Sequence, residues 1–233
     1  MGSLDYNSCR FHHYYEKICL SVTKHLRLSD INLFDHPIHY SEMSSGEEVK
    51  NILYSTIEDI GKERIRFDTT SNINLSEKYI DSIMSRCIPR ISNSNSKINS
   101  WNETLAGVSE ALLHFMLTVC TLPSERKIQV KEDLMVDVVI PNLQSLKRNS
   151  RKSIIIEIIK NKEDLAKIPR LEYLQPDCRN IWVVTPIPLS TKRYRTYSLT
   201  SSNYTFHSRF SNIIIDVDGF LRDTGDRTLR LVH

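Results

Sequence analysis

One stretch, SIIIEIIKNK at residues 153–162, limits the fold more than any other part of the chain. Its five isoleucines are stiff at χ1 and pack well on a pleated surface. A β-branched run of this kind predicts a strand buried on both faces. Glu157 interrupts it. A carboxylate among apolar neighbours is costly unless something pairs with it, so this position needs a partner. The stretch LMVDVVIP, residues 134–141, repeats the pattern. Asp137 is its lone acid, and Pro141 should end the strand. Adjacent strands lie ~4.8 Å apart. Two carboxylates on one face of such a pair repel, so one holds a proton unless a cation intervenes. Mg²⁺, or Mn²⁺ in its place, is a hard ion that takes oxygen ligands of this type.

The surrounding pattern divides the chain in two. ISNSNSKINS at residues 91–100 is Ser/Asn-rich and marks a seam, with a linker over 92–100. Residues 1–91 form a mainly helical part. Phe11, Tyr14, Tyr15, Ile18 and Val22 recur at helical spacing. Val49, Ile52, Leu53, Ile57 and Ile60 make a second stripe, with Glu47 and Glu48 in a capping-box pattern and Gly61 as the stop. Ser76 caps a third helix, which must end before Pro89. His36 and His39 in DHPIHY lack further ligands nearby and read as a surface turn.

Residues 101–233 alternate helix and strand. Leu105, Val108, Leu112, Phe115, Met116 and Val119 make one face of a helix over 101–120. A short strand, a polar turn at Lys131–Asp133 and the Asp137 strand follow. After a basic loop come the isoleucine strand, a helix or a helix broken at Pro169, and the strand NIWVVTP. Strand-like segments continue in the tail.

This order, α-β-β-β-α-β, resembles the core of the PD-(D/E)xK nuclease superfamily, which includes restriction endonucleases and archaeal Holliday-junction resolvases. The resemblance covers roughly residues 101–186. It implies an α/β, restriction-endonuclease-like core with extra C-terminal strands, preceded by the helical part. It also implies Mg²⁺-dependent hydrolysis of a nucleic-acid phosphodiester, with DNA favoured over RNA. Asp137 matches the family's first acid and Glu157 its second, and both would hold the metal. Members often add a glutamate from the first helix. Glu103 and Glu110 are the candidates, with Glu110 preferred as nearer the helix middle. The family's lysine stands two residues after the glutamate. That place is Ile159 here, and the lysine comes one later, at Lys160. Strand parity would turn Lys160 to the opposite face unless a bulge at Ile158–Ile159 restores it, or Lys162 or Lys152 reaches in. Lys160 is thus the expected catalytic cation. The rival reading is a nuclease-fold protein without activity, which binds nucleic acid or scaffolds.

Net charge is only +3, so local clusters matter more than the total. Lys147, Arg148, Arg151 and Lys152 lie between the two acidic strands. Lys192, Arg193 and Arg195 interleave with Tyr194 and Tyr197, a pattern suited to phosphate contact and base stacking. Nucleic acid is the expected partner, and the helical part is where a second copy or a partner protein would dock. The five cysteines form no CxxC pair and read as reduced thiols. No stretch approaches a membrane span and the N-terminus is too polar for a signal peptide, so a cytoplasmic protein is expected. IIIDVDGFLRD at 213–223 resembles the first motif of haloacid-dehalogenase-like phosphatases. Only ten residues follow Asp223, and Phe220 stands where that family has Thr. Val217–Phe220 is therefore read as a turn.

Overall fold

A computed structural model describes residues 45–93, 101–131, 134–161, 163–186, 189, 192–200 and 207–225. Six strands make one sheet: β1 (Glu125–Lys131), β2 (Leu134–Ile140), β3 (Ile154–Ile158), β4 (Ile181–Thr185), β5 (Arg195–Ser198) and β6 (Ser208–Arg209). They lie in chain order. The first three pair antiparallel and the last four parallel. β3 is central and all five of its residues are buried, as the isoleucine run predicts.

The helices are α1 (Ser45–Ile60), α2 (Lys62–Ser71), α3 (Leu75–Asn93), α4 (Trp101–Val119), α5 (Leu143–Arg148), α6 (Ile168–Leu171) and α7 (Ile213–Thr224). The period-two alternation of β3 sends Ile154, Ile156 and Ile158 to one face of the sheet. There they join Trp182, Tyr197, Leu112 and Met116, together with Leu53, Ile57, Ile80 and Ile83 from α1 and α3, in one buried cluster. Ile155, Ile159, Ile181 and Val183 bury on the other face against Leu146, Ile168 and Leu171. Gly61 stops α1 as expected: it adopts φ +99, and its N–H meets Ile57 O at 2.9 Å.

Three expectations change. α3 runs through Pro89 to Asn93. Ile91 is buried in the core and holds the chain helical beyond the proline. Ser76 does not cap α3; it sits inside the first turn, and its buried hydroxyl has no hydrogen bond. Residues 213–224 are helical, so Val217–Phe220 is not a turn, and the tail's strand character ends at Arg209. Ile213, Ile214, Val217 and Leu221 bury at helical spacing, and Gly225 caps the end with φ 76. Residues 1–44, with Phe11–Val22 and the His36/His39 pair, and residues 94–100 lie outside the described residues. Cys87 and Cys120 are buried free thiols and Cys178 is half-buried. Among the described residues no helix is long and apolar enough to cross a membrane.

Candidate active site

Asp137 and Glu157 face each other across the β2–β3 pair. The paired residues Val138–Ile156, Val139–Ile155 and Ile140–Ile154 set a register that continues to Asp137 opposite Glu157. There the backbone ladder stops and a side chain takes over. Ile158 N–H donates to Asp137 Oδ2 at 2.9 Å. Both acids are buried, Asp137 at 7% and Glu157 at 2% exposure. They sit where β3 and its parallel neighbours end, the rim at which open α/β sheets bind ligands.

Lysines surround them. Lys127, on edge strand β1, places Nζ 2.7 Å from Asp137 Oδ1 and 2.7 Å from Glu110 Oε1. Lys160 Nζ lies 3.1 Å from Glu110 Oε2. Lys167, from the 3₁₀ turn at Glu163–Lys167, pairs with Glu157 Oε1. Glu157 Oε2 is buried and accepts no hydrogen bond. Burial alone would raise the Asp137 carboxyl, but the bonds from Lys127 and from the Ile158 N–H hold it below its ordinary value. Glu157 goes the other way. Burial first, and then the neighbouring Asp137 charge, push it up to about 8 against the pull of Lys167. Two buried carboxyl groups with opposed shifts, paired across adjacent strands, mark a functional-site candidate.

Glu110, from the middle of α4, therefore does join the acids, through Lys127. It is not on a solvent face, since its side chain is 12% exposed. Glu103, Glu110, Lys50, Arg126, Lys160 and Asn161 contribute to the walls of a cleft of about 340 Å³ against α4; Asp137 and Glu157 do not line it, and Glu110 links it to Asp137 through Lys127. β3 ends at Ile158, and Ile159, in the family's lysine place, is fully buried against the α6 side. Lys160 then turns to α4 and meets Glu110, not Glu157. Lys152 does not reach in: its Nζ donates to Thr224 O, 3.1 Å away at the end of α7. Lys162 is outside the described residues. Among the described residues no three His, Cys, Asp or Glu side chains form a ready metal cage.

The expected basic surface lies elsewhere. Lys147 and Arg148 end α5, and Arg151 and Lys152 precede β3. Lys192 and Arg193 precede β5, which Arg195 opens. These residues gather at the N-terminal rim of the parallel strands, away from the acids. Lys152 and Glu157 are separated by roughly 16 Å along the strand. Arg193 Nη2 is 2.5 Å from Glu172. Arg195 is 2.5 Å from Asp216 and stacks over Trp182 at 4.8 Å. Both thus have internal partners.

Lys127 and Lys167 were not singled out in the sequence. Lys127 carried one weak signal: KIQVK precedes the Asp137 strand by a tight turn, so some lysine there had to lie near Asp137. Lys167 carried none, because the 3₁₀ turn that delivers it is set by the packing of Ile168 and Leu171.

No protein-family model matches the chain, and a search of curated proteins finds no match. Solved structures do resemble it. Metal-depleted Ecl18kI in complex with uncleaved, modified DNA shares 12% identity at a TM-score of 0.51, covering 78% of this chain and 86% of that one. A restriction endonuclease PspGI–substrate DNA complex shares 15% identity at a TM-score of 0.46, covering 75% and 93%. The first of these identifies the architecture, and at such identity it speaks for the fold alone. The chain has a restriction-endonuclease-like fold.

Proposed function

We propose that this chain is a metal-dependent nuclease acting on DNA through the rim that carries Asp137 and Glu157. One observation carries the reading: two buried carboxyl groups meet in register on adjacent strands of this fold, and one keeps a buried oxygen, Glu157 Oε2, without a hydrogen bond. That donor set fits a hard divalent ion, Mg²⁺ or Mn²⁺, which would satisfy the orphaned oxygen and relieve the repulsion between the acids. Asp137 and Glu157 would hold it, with Glu110 as a further oxygen ligand. The chemistry it would supply there is a lowered pKa for a bound water and withdrawal of charge from a phosphate.

The chain's own groups do the rest. The Ile158 N–H fixes the Asp137 carboxylate, so its orientation does not wait on substrate. Lys160, held by Glu110, is the cation assigned to the attacking water or the phosphorane charge. Arg126 and Lys50 share the cleft with it and suit the phosphates beside the scissile bond. The basic group at residues 147–152 and 192–195 is assigned to backbone farther along the duplex. The neighbouring complexes named above contain DNA, which favours DNA over RNA.

A second reading has its own observation. Ile159 fills the usual lysine place, and lysines already neutralise all three acids. A nuclease fold that binds DNA without cutting it would look the same. Incubating the purified chain with plasmid and linear DNA in Mg²⁺ and in Mn²⁺ separates the two. Cleavage that falls by about a hundredfold or more in Asp137→Asn and Glu157→Gln supports the nuclease. Binding of DNA with no cleavage in either metal selects the inactive reading.

A further inference from the structure

Lys127 occupies an unusual position. It lies between the paired residues Arg126–Val138 and Ile128–Val136, so the register sets it opposite Asp137. Its backbone takes φ 50 within a strand. A long side chain rarely adopts that left-handed conformation, and such residues gather at functional sites. The result aims the ammonium between Asp137 Oδ1 and Glu110 Oε1, 2.7 Å from each. This is a monovalent cation seated on two of the oxygens a divalent ion would use. Lys127 belongs to the edge strand, and its side chain is 38% exposed, so it can leave towards solvent.

We infer that Lys127 is an internal counterion that holds the cation position between Asp137 and Glu110 until a divalent ion displaces it, and so sets the metal concentration at which the site loads. The inference rests on the nuclease reading, because it presumes a metal at the acidic pair. The physical reason is competition. Before metal binds, the ammonium offsets the crowding of the carboxylates. Once a dication arrives, the same ammonium becomes a like charge a few ångströms away and must withdraw. A ligand that displaces an internal partner binds more weakly by the strength of the contacts it breaks.

The test is calorimetric titration of the metal-stripped chain with Mn²⁺, without DNA. Lys127→Met removes the ammonium and keeps the apolar stem. Lys127→Gly also removes it and adopts a positive φ without strain, so it folds even where Met is poorly tolerated. Lys127→Arg restores a cation. Two partly exposed ion pairs correspond to roughly tenfold tighter Mn²⁺ binding in the Met and Gly variants, with the Arg variant near the parent. Unchanged or weaker binding in both Met and Gly would overturn the inference. If the parent binds Mn²⁺ through Asp137 and Glu157 while the Lys127 variants match it, only this inference fails. If the parent binds no Mn²⁺ at all, the metal reading itself fails, and this inference with it.

Discussion

Two isoleucine runs in this chain have nearly the same local sequence and opposite structures. Ile154–Ile158 reads III-Glu-Ile and is a strand; Ile213–Val217 reads III-Asp-Val and opens a helix. Propensity favours a strand in both. The surroundings decide. β3 is hydrogen-bonded to β2 and β4 and buried on both faces, so every residue of the run is used. α7 has one apolar side to cover, and only Ile213, Ile214, Val217 and Leu221 are needed for it. The acids differ accordingly. Glu157 is buried beside a second carboxyl, whereas Asp216 is partly exposed and meets the Arg195 guanidinium and the Tyr197 hydroxyl. The first acid is the one assigned to the proposed metal site, and the second fastens α7 to β5.

The largest effect expected from this contrast is a pH dependence. Glu157 rises to about 8 from an ordinary 4.5, so the folded chain holds a proton that the unfolded chain gives up. The associated stability is fully present below about pH 4.5 and is lost as pH climbs through 8, on the order of 5 kcal/mol in the absence of metal. Urea melts in EDTA between pH 5 and 8.5 should show this decline, and Glu157→Gln should flatten it. Lys167→Met, which removes the opposing cation, should extend the decline to higher pH. A parent protein with no decline would break the distinction between the two acids.

Next in size is Asp216→Ala. It leaves the hydroxyl of fully buried Tyr197 without its 2.7 Å acceptor. The loss should be about 1–2 kcal/mol, with little added by the Arg195 pair, whose guanidinium side is 40% exposed. Thermal melts should show that cost together with an unaltered response to Mn²⁺. A lost metal response would mean that Asp216 does more than fasten α7.

The smallest effect is at Gly219. It lies inside α7, and nothing stands within 4 Å of an added Cβ. Gly219→Ala should therefore raise stability by about 0.5–1 kcal/mol. A turn with positive φ at this glycine would give a loss instead.

These contrasts also mark how far the sequence could be read. The central strand, its partner, the α4 stripe and the α-β-β-β-α-β order were legible, because each depends on local period and burial. So was the pairing of Asp137 with Glu157, since two lone acids in two apolar strands have few places to go. α7 was misjudged because Asp218–Gly219 carries a strong turn signal, while the helix spacing of Val217 and Leu221 counts only once a sheet exists to cover. Pro89 was misjudged for a similar reason: Ile91 packs in the core, and that contact outweighs one missing N–H. Lys127 and Lys167 stayed hidden because a side chain's partner across a register or from a 3₁₀ turn is a tertiary fact. The basic clusters were visible as charge, but their position at the rim away from the acids depends on strand direction.

The central claim is that Glu157 is tolerated among isoleucines because it shares a cation with Asp137. Crystals of the chain soaked in Mn²⁺ test it most directly, through the anomalous signal of the metal. One peak is expected within coordination distance of both the Asp137 and Glu157 carboxylates, with Glu157 Oε2 among the ligands and Lys127 withdrawn from Asp137. The peak should be absent in Asp137→Asn. Density for an ordered, metal-free pair at saturating Mn²⁺, with Lys127 and Lys167 still bound to the acids, would contradict the claim.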